Sequence, residues 1–160
     1  MVIKIIKSVG GVGSETQKTG RILKHAVNTG GYPVVCLSKK GQGKVHRIHQ
    51  LVAREWVQNP DGKICVDHID GVKSNNHHEN LRYATHAENG RNMEKHSDGS
   101  SVYKGVSYKK AKNKWQAQIQ INGKQTYLGL FYNEREAAKF YNTAALEHFG
   151  IFAKLNEIED

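Results

Sequence analysis

The chain has 160 residues, of which 38% are hydrophobic and 24% are charged, which is typical of a folded globular protein rather than a disordered one. No apolar run approaches the roughly 18–20 residues that span a bilayer. The lysine-interrupted first residues do not resemble a signal peptide, and two cysteines are too few for a disulfide framework. We therefore expect a protein that is neither secreted nor membrane-bound and that acts in the cytoplasm.

The charge is unevenly distributed. Lysine and arginine number 24 against 15 acidic residues, a formal net charge of +9. Residues 1–60 carry ten basic and two acidic groups, whereas residues 61–100 carry five basic and seven acidic groups. A basic arm beside an acidic centre is typical of a protein that binds a polyanion and also holds a cation, although charge alone fits any basic surface as well.

The first third of the chain has mostly strand-like patterning. Residues 1–20 are glycine-rich but lack the Gly-Lys-Ser/Thr end of a phosphate-binding loop, so we interpret them as a surface loop. Glycine-containing turn signals then separate three predicted strands, over residues 21–27, 31–40 and 43–50. A helix is predicted from Ile48 to Val57, with Leu51, Val52 and Trp56 on its apolar face.

Residues 63–92 hold the densest set of chemically active side chains. Apolar residues predict two short strands on either side of the polar loop SNNHHEN, and Thr85 with Glu88 forms a capping-box signal for a following helix. A β-loop-β-helix unit of this size can bring Asp67, His68 and a helix residue near Asn89 to one point. Asp70 is interpreted as stabilising the adjacent glycine turn.

These side chains suit metal-assisted cleavage of a phosphodiester. The Asp67 carboxylate and the Asn89 amide oxygen are hard ligands, appropriate for Mg²⁺ or Mn²⁺. A histidine such as His68 is largely neutral at pH 7 and can accept a proton from water. A zinc knuckle built from Cys65, His68, His77 and His86 is the alternative, but it lacks the usual Cys-x2-Cys pairs.

The motifs VHR, LVAREW, NPDG, VDHIDG and NNHHENLRYATHAEN, spread over residues 20–92, resemble the HNH endonucleases of the ββα-metal fold, particularly the homing endonucleases of phage and viral introns. The resemblance implies His68 as general base and Asp67 and Asn89 as metal ligands. It also implies that Asn80 hydrogen-bonds the active-site loop. His86, three residues before Asn89, is a rival for the last ligand position.

A polar linker is predicted over residues 93–101, followed by a second set of elements. Three strands are predicted in meander order, over Val102–Lys109, Lys114–Ile121 and Gln125–Phe131, the last two joined by an Asn-Gly hairpin signal. Asn133 is expected to cap a helix, with Glu136 as its capping-box partner, and Gly150 to end it.

This C-terminal segment resembles the Apetala/ethylene-response-factor type of DNA-binding domain in its YKGV, KW, YLGLF and EAA motifs and its closing Leu-Asn. The resemblance implies a three-stranded sheet whose exposed face reads the major groove. Base preference does not transfer, because plant arginines and tryptophans are replaced by lysine, glutamine and tyrosine. The implied contacts are Lys104, Tyr108, Lys110, Gln118, Gln120, Gln125 and Tyr127.

Together these features predict an α+β protein with an HNH endonuclease domain over residues 1–92, a linker, and a DNA-binding domain over residues 102–160. The first domain comprises a basic strand arm (1–60), in which Lys39, Lys40, Lys44 and Arg47 contact the DNA backbone, and a ββα-metal core (63–92). We expect a monomer that nicks double-stranded DNA without a small-molecule cofactor. The alternative is a transcription-factor-like DNA-binding protein whose nuclease domain is inactive.

Overall fold

The computed structural model describes residues 23–93 and 99–159, and over these residues the chain forms three antiparallel sheets and three α-helices, which confirms the predicted α+β class. The predicted glycine-rich loop and the centre of the predicted linker lie outside the described residues. In chain order the elements are β1 (Ala26–Val27), β2 (Pro33–Lys39), β3 (Gln42–Arg47), α1 (Ile48–Trp56), β4 (Cys65–His68), β5 (Leu81–Ala84), α2 (His86–Arg91), β6 (Val106–Lys109), β7 (Lys114–Ile121), β8 (Lys124–Phe131) and α3 (Glu134–Phe149).

The first sheet has the order β1-β2-β3 and continues directly into α1. Because the helix begins at Ile48, the strand predicted over residues 43–50 is wrong for its last three residues, where apolar side chains repeat with helical spacing instead. Ile48, Val52 and Ala53 pack with residues of β2 and β5 in one hydrophobic cluster. Trp56, predicted on this face, is 72% exposed because it ends the helix beyond the cluster.

The second sheet is the β4–β5 hairpin, followed immediately by α2. The predicted capping box is present: the Thr85 hydroxyl accepts from the Glu88 N–H at 3.2 Å, and the Glu88 carboxylate accepts from the Thr85 N–H at 2.7 Å. The Thr85 N–H, together with Lys63, holds the pKa of Glu88 below its usual value. Leu81 of β5 joins the α1 cluster, which ties the hairpin to the first sheet.

The third sheet has the order β6-β7-β8, and its second strand has the predicted bounds. Asn122 and Gly123 form the predicted hairpin turn with φ values of 49° and 81°. The first strand begins at Val106, four residues later than predicted, because Gly105 has a φ of +74° and the chain there passes directly over the Tyr141 ring.

Helix α3 covers the third sheet with a face of small residues and one tyrosine: Ala137, Ala138, Tyr141, Ala144 and Ala145. The Asn133 side chain caps it by accepting from the Arg135 N–H at 2.8 Å, but the predicted capping box with Glu136 does not form. Gly150 ends the helix with a φ of 53°. Among the described residues, no helix is both long enough and apolar enough to cross a membrane.

Candidate active site

Asp67 and His68 are the last two residues of β4, and both are 5% exposed. They pair across the hairpin with Arg82 and Leu81 respectively. Because successive side chains of a strand point to opposite faces, the carboxylate and the imidazole leave the strand end on opposite sides and have separate side-chain partners. The structure therefore places the two predicted groups next to each other in the backbone, but not in direct side-chain contact.

The Asp67 carboxylate is held by one cation and one amide. Arg82 donates to Oδ2 from Nε at 2.9 Å and from Nη2 at 2.7 Å. The Asn92 Nδ2 group donates at 3.2 Å to each carboxylate oxygen. Oδ2 thus has two strong charge-assisted hydrogen bonds, whereas Oδ1 accepts only one long hydrogen bond from a described residue.

Asn92, the C-cap of α2, is a site residue that the sequence analysis missed. Its buried Nδ2 group also donates to the carbonyl of His68 at 2.8 Å, so it fastens the end of α2 to the end of β4. Asn89 lies three residues earlier, on the same face of the helix, and is half-buried. The helix therefore directs the predicted ligand Asn89 toward β4, although Asn92 is the residue that contacts Asp67.

The His68 ring is oriented by an amide. Its Nε2 lies 3.0 Å from the Oδ1 atom of Asn76, whose Nδ2 group faces the Ser74 carbonyl at 3.3 Å. Because a carboxamide oxygen accepts hydrogen bonds, Nε2 carries the proton in the neutral ring, and the lone pair lies on Nδ1. No described residue forms a hydrogen bond to that Nδ1 atom.

A second buried histidine, His49 of α1, packs against the His68 ring. The two ring centroids are 5.0 Å apart in an edge-on arrangement, and Tyr32 completes a cluster of three rings, 5.0 Å from His49 and 6.2 Å from His68. Burial, reinforced by the charges of His68 and Arg47, lowers the pKa of His49 to about 4, so this ring is neutral at pH 7. The position of His49 beside the apolar residues of α1 could have indicated that it is buried, but not that it contacts His68.

The loop between β4 and β5 is closed by Asn80, as the resemblance implied. Its Nδ2 group donates to Asp70 Oδ1 at 2.9 Å and to the Asn75 carbonyl at 2.8 Å, while its Oδ1 accepts from the Asp70 N–H at 3.1 Å. Burial alone would raise the pKa of Asp70, but hydrogen bonds from Asn75, Asn80 and the Val72 N–H lower it. Asp70 thus stabilises the turn, as expected.

Of the remaining histidines of this segment, His77 and His78 have their rings in edge-on contact, with 4.7 Å between the centroids. His86 Nδ1 lies 3.2 Å from the sulfur of Cys65, and His77 lies beside Glu79 at 3.5 Å. Over residues 23–93 and 99–159, no group of three or more histidine, cysteine, aspartate or glutamate side chains has the arrangement of a metal site. Of the four residues of the alternative zinc knuckle, Cys65 and His86 contact each other, whereas His68 contacts Asn76 and His77 contacts Glu79.

The basic arm residues lie on the β2–β3 hairpin. Lys39, Lys40 and Lys44 are exposed, and the Arg47 guanidinium lies 5.2 Å from the centroid of the Tyr32 ring.

The predicted contacts of the C-terminal sheet divide into two groups. Gln118 pairs with Tyr127, and Gln120 pairs with Gln125, so these four side chains share the sheet face opposite α3. Lys110 is exposed, and the Tyr108 hydroxyl donates to Asn113. Lys104 differs, because its ammonium group donates to the carbonyls of Arg91 at 2.7 Å and Met93 at 2.6 Å, at the end of α2.

A cleft of about 740 Å³ separates α2 from the third sheet. Its walls include Gly90 and Arg91 on one side and Gln118, Gln120 and Gln125 on the other. Helix α2, which carries Asn89, therefore borders the same cleft as Gln118, Gln120 and Gln125.

Residues 46–91, which include the β4–β5 hairpin, its loop and all of α2, match the family model described as HNH endonuclease. The match supports an HNH endonuclease domain over these residues. The chain is 40% identical over 76 residues to DNA endonuclease I-HmuI of Bacillus phage SP01, covering 48% of this chain and 44% of that protein. It is also 37% identical over 130 residues to an uncharacterized HNH endonuclease of Acanthamoeba polyphaga mimivirus, covering 81% of this chain and 64% of that protein.

A further similarity is to plant proteins: the chain is 44% identical over 62 residues to an AP2-like ethylene-responsive transcription factor of Arabidopsis thaliana, covering 38% of this chain and 12% of that protein. A solved structure described as DNA binding and cleavage by the HNH homing endonuclease I-HmuI is 40% identical, with a TM-score of 0.42, and covers 46% of this chain and 42% of that chain. The chain therefore spans about half of the I-HmuI sequence.

The donor set of the HNH domain fits a hard divalent cation. Asp67 Oδ1 has one long hydrogen bond and retains lone pairs, and Asn89 carries an amide oxygen on the helix that Asn92 ends. Both are oxygen ligands of the kind that Mg²⁺ accepts, and Mg²⁺ commonly completes its shell with water and substrate phosphate rather than further protein groups. Arg82 occupies Oδ2, which leaves one carboxylate oxygen for this role.

Proposed function

We propose that this protein is a metal-dependent endonuclease that nicks double-stranded DNA, with His68 as the general base. The observation that carries the proposal is a buried carboxylate and a buried imidazole at consecutive positions of the HNH domain, each oriented by its own hydrogen bonds. We further propose that it acts as a monomer in the cytoplasm.

His68 would accept a proton from the attacking water at Nδ1, because Nε2 already donates to Asn76. The water oxygen then bonds to phosphorus as the opposite bond, from phosphorus to the 3′ oxygen, breaks. The leaving 3′ oxygen takes a proton from solvent, which gives 5′-phosphate and 3′-hydroxyl ends. Asn80 acts indirectly, since it holds the loop on which Asn76 lies. A neutral His49 against the His68 ring limits the ring orientations available to the base.

We assign Asp67 and Asn89 as the protein ligands of Mg²⁺ or Mn²⁺. When bound, the cation would supply positive charge to the scissile phosphate and the leaving oxygen as negative charge develops there. The contact of His86 with Cys65 supports Asn89 over His86 as the helix ligand.

The C-terminal sheet is proposed as an AP2-type DNA-binding module that supplies site preference. Its outer-face residues Gln118, Gln120, Gln125 and Tyr127 offer hydrogen-bonding groups suited to base edges. Lys110 and Tyr108 lie beside them, and the basic arm contacts the phosphate backbone through Lys39, Lys40, Lys44 and Arg47. Of the proposed contacts, Lys104 should contribute least, because α2 carbonyls already bind its ammonium group.

The test is conversion of supercoiled plasmid to open circles in the presence of Mg²⁺. Removing the general base with His68→Ala should lower the rate by at least about 10²-fold, whereas the matched control His77→Ala, which removes an exposed imidazole, should cleave like the wild type. Chelation of the metal should abolish nicking by every variant.

Two outcomes would contradict the proposal. If His68→Ala and the wild type cleave equally, His68 is not the base. If neither cleaves while both bind DNA, the protein is the DNA-binding alternative with an inactive nuclease domain.

A further inference from the structure

The guanidinium of Arg82 links the Asp67 carboxylate to the C-terminal module. Its Nε and Nη2 groups bind Asp67, while Nη1 donates to the carbonyl of Ile151 in the single helical turn Gly150–Phe152 after α3. The guanidinium carbon lies 4.1 Å from the centroid of the Phe152 ring, close enough for a cation–π interaction. One buried cation is therefore shared between the site and the turn.

The Phe152 ring is 8% exposed and contacts a second cation of the HNH domain. The ammonium group of Lys63 lies 5.1 Å from the ring centroid and also pairs with Glu88 at 3.0 Å. Glu88 completes the capping box at the start of α2. The ring thus lies between the cation that holds Asp67 and the cation that holds the first turn of the helix.

The other end of α2 is also fastened to the C-terminal module. The Arg91 guanidinium lies 4.5 Å from the centroid of the Phe149 ring, and Lys104 binds the carbonyls of Arg91 and Met93. These two carbonyls flank Asn92, the residue that fastens the helix to Asp67. Because α2 has only six residues, it is too short to be stable without such tertiary contacts.

We propose that Phe152 is a positioning residue for the nuclease site: by docking against Arg82 and Lys63, together with Phe149 against Arg91, the C-terminal module orients Asp67 and α2. The site is complete only when the module is docked. The effect of this docking on cleavage rests on the proposed function, whereas its effect on the order of α2 does not. The C-terminal module then contributes to catalysis as well as to DNA binding.

The experiment compares Phe152→Ala with Ile151→Ala in the full chain. The Ile151 side chain is 80% exposed and only its main-chain carbonyl is used, so the control keeps the hydrogen bond to Arg82. Loss of the aromatic face should raise amide hydrogen exchange in α2 and β4 about tenfold, while Ile151→Ala should exchange like the wild type. For nicking, Phe152→Ala should lower kcat by about tenfold with little change in KM for DNA.

A second variant, Arg91→Met, breaks the other contact from the HNH side and leaves the C-terminal core intact. If Trp115 fluorescence shows that Phe152→Ala unfolds the C-terminal module, amide exchange in α2 of Arg91→Met is the measurement that tests the proposal. Unchanged exchange in α2 in a folded variant would overturn the proposal, as would a rise in KM with unchanged kcat. If the wild type itself fails to nick, the proposed function is wrong, and the exchange measurement still decides this inference.

Discussion

The β4–β5 hairpin and the β6–β8 sheet are both small antiparallel sheets, yet the strands β4 and β7 bury opposite kinds of side chain. The buried residues of β4 are Asp67 and His68, whereas those of β7 are Ala117 and Ile119. Apolar burial is favourable without directional partners, but a buried polar group costs free energy unless it is hydrogen-bonded. The sheet should therefore be sensitive to changes of shape, and the hairpin to the loss of partners.

The largest effect on folding stability is expected from Gly105→Ala in the sheet. A Cβ there would lie 2.1 Å from the Tyr141 ring and 2.7 Å from the Gln118 carbonyl, at a φ of +74°. Overlap and backbone strain together should lower the free energy of unfolding by about 4 kcal/mol. Urea unfolding followed by Trp115 fluorescence, in a Trp56→Phe background, measures it.

Gly123→Ala is the control for that measurement. Its φ is +81°, but no atom lies within 4 Å of its Cβ position, so only backbone strain of about 1 kcal/mol is expected. Equal losses in the two variants would mean that the close approach to Tyr141 contributes nothing.

A smaller loss is expected in the hairpin from Asp67→Ala. It leaves the largely buried Arg82 cation and the Asn92 amide without their carboxylate, which should lower the free energy of unfolding by about 3 kcal/mol. The control is Glu55→Gln, which breaks the ion pair of Glu55 with Arg54. Because these two side chains are 65% and 67% exposed, the free energy of unfolding should fall by less than about 0.5 kcal/mol. Chemical denaturation of both variants tests this, and similar losses would show that the Asp67 network does not stabilise the hairpin.

The pH dependence of stability gives the smallest effect. The unfolded chain protonates His49 near pH 6.5, but the folded protein only near pH 4, so the unfolded state binds more protons in this window. The contribution of neutral His49 to the free energy of unfolding is fully present above pH 6.5 and is lost as the pH falls toward 4. Between pH 7 and about pH 4.5 the wild type should lose about 2 kcal/mol more than His49→Phe. Parallel curves for the two proteins would contradict a buried neutral His49.

Much of the fold could be predicted because it depends on local signals. Strict alternation fixed the bounds of β7, Asn122 and Gly123 fixed the following turn, and Thr85 with Glu88 fixed the start of α2. The errors occurred where a tertiary contact overrides local preference. Gly105 delays β6 because Tyr141 occupies the space above it, and Trp56 is exposed because α1 ends beyond the core.

The candidate site divides in the same way. Residue type and short chain separation singled out Asp67 and His68, and the resemblance to the HNH endonucleases implied the loop hydrogen bonds of Asn80. The partners Arg82, Asn92 and His49 were not predicted. Arg82 meets Asp67 only through hairpin register, and His49 meets His68 only because α1 packs against the hairpin.

The sequence by itself determined the α+β class, most of the strands and helices, and the residue types needed for phosphodiester chemistry, since periodicity, turn residues and motif spacing are local properties. Only the tertiary structure decided which buried polar groups contact one another. In the folded chain the Asp67 and His68 side chains lie on opposite sides of β4, Asn92 hydrogen-bonds the end of α2 to Asp67, and Phe152 contacts Arg82. Such contacts join residues far apart in the chain, so they form only when packing excludes water and every buried charge must find a partner.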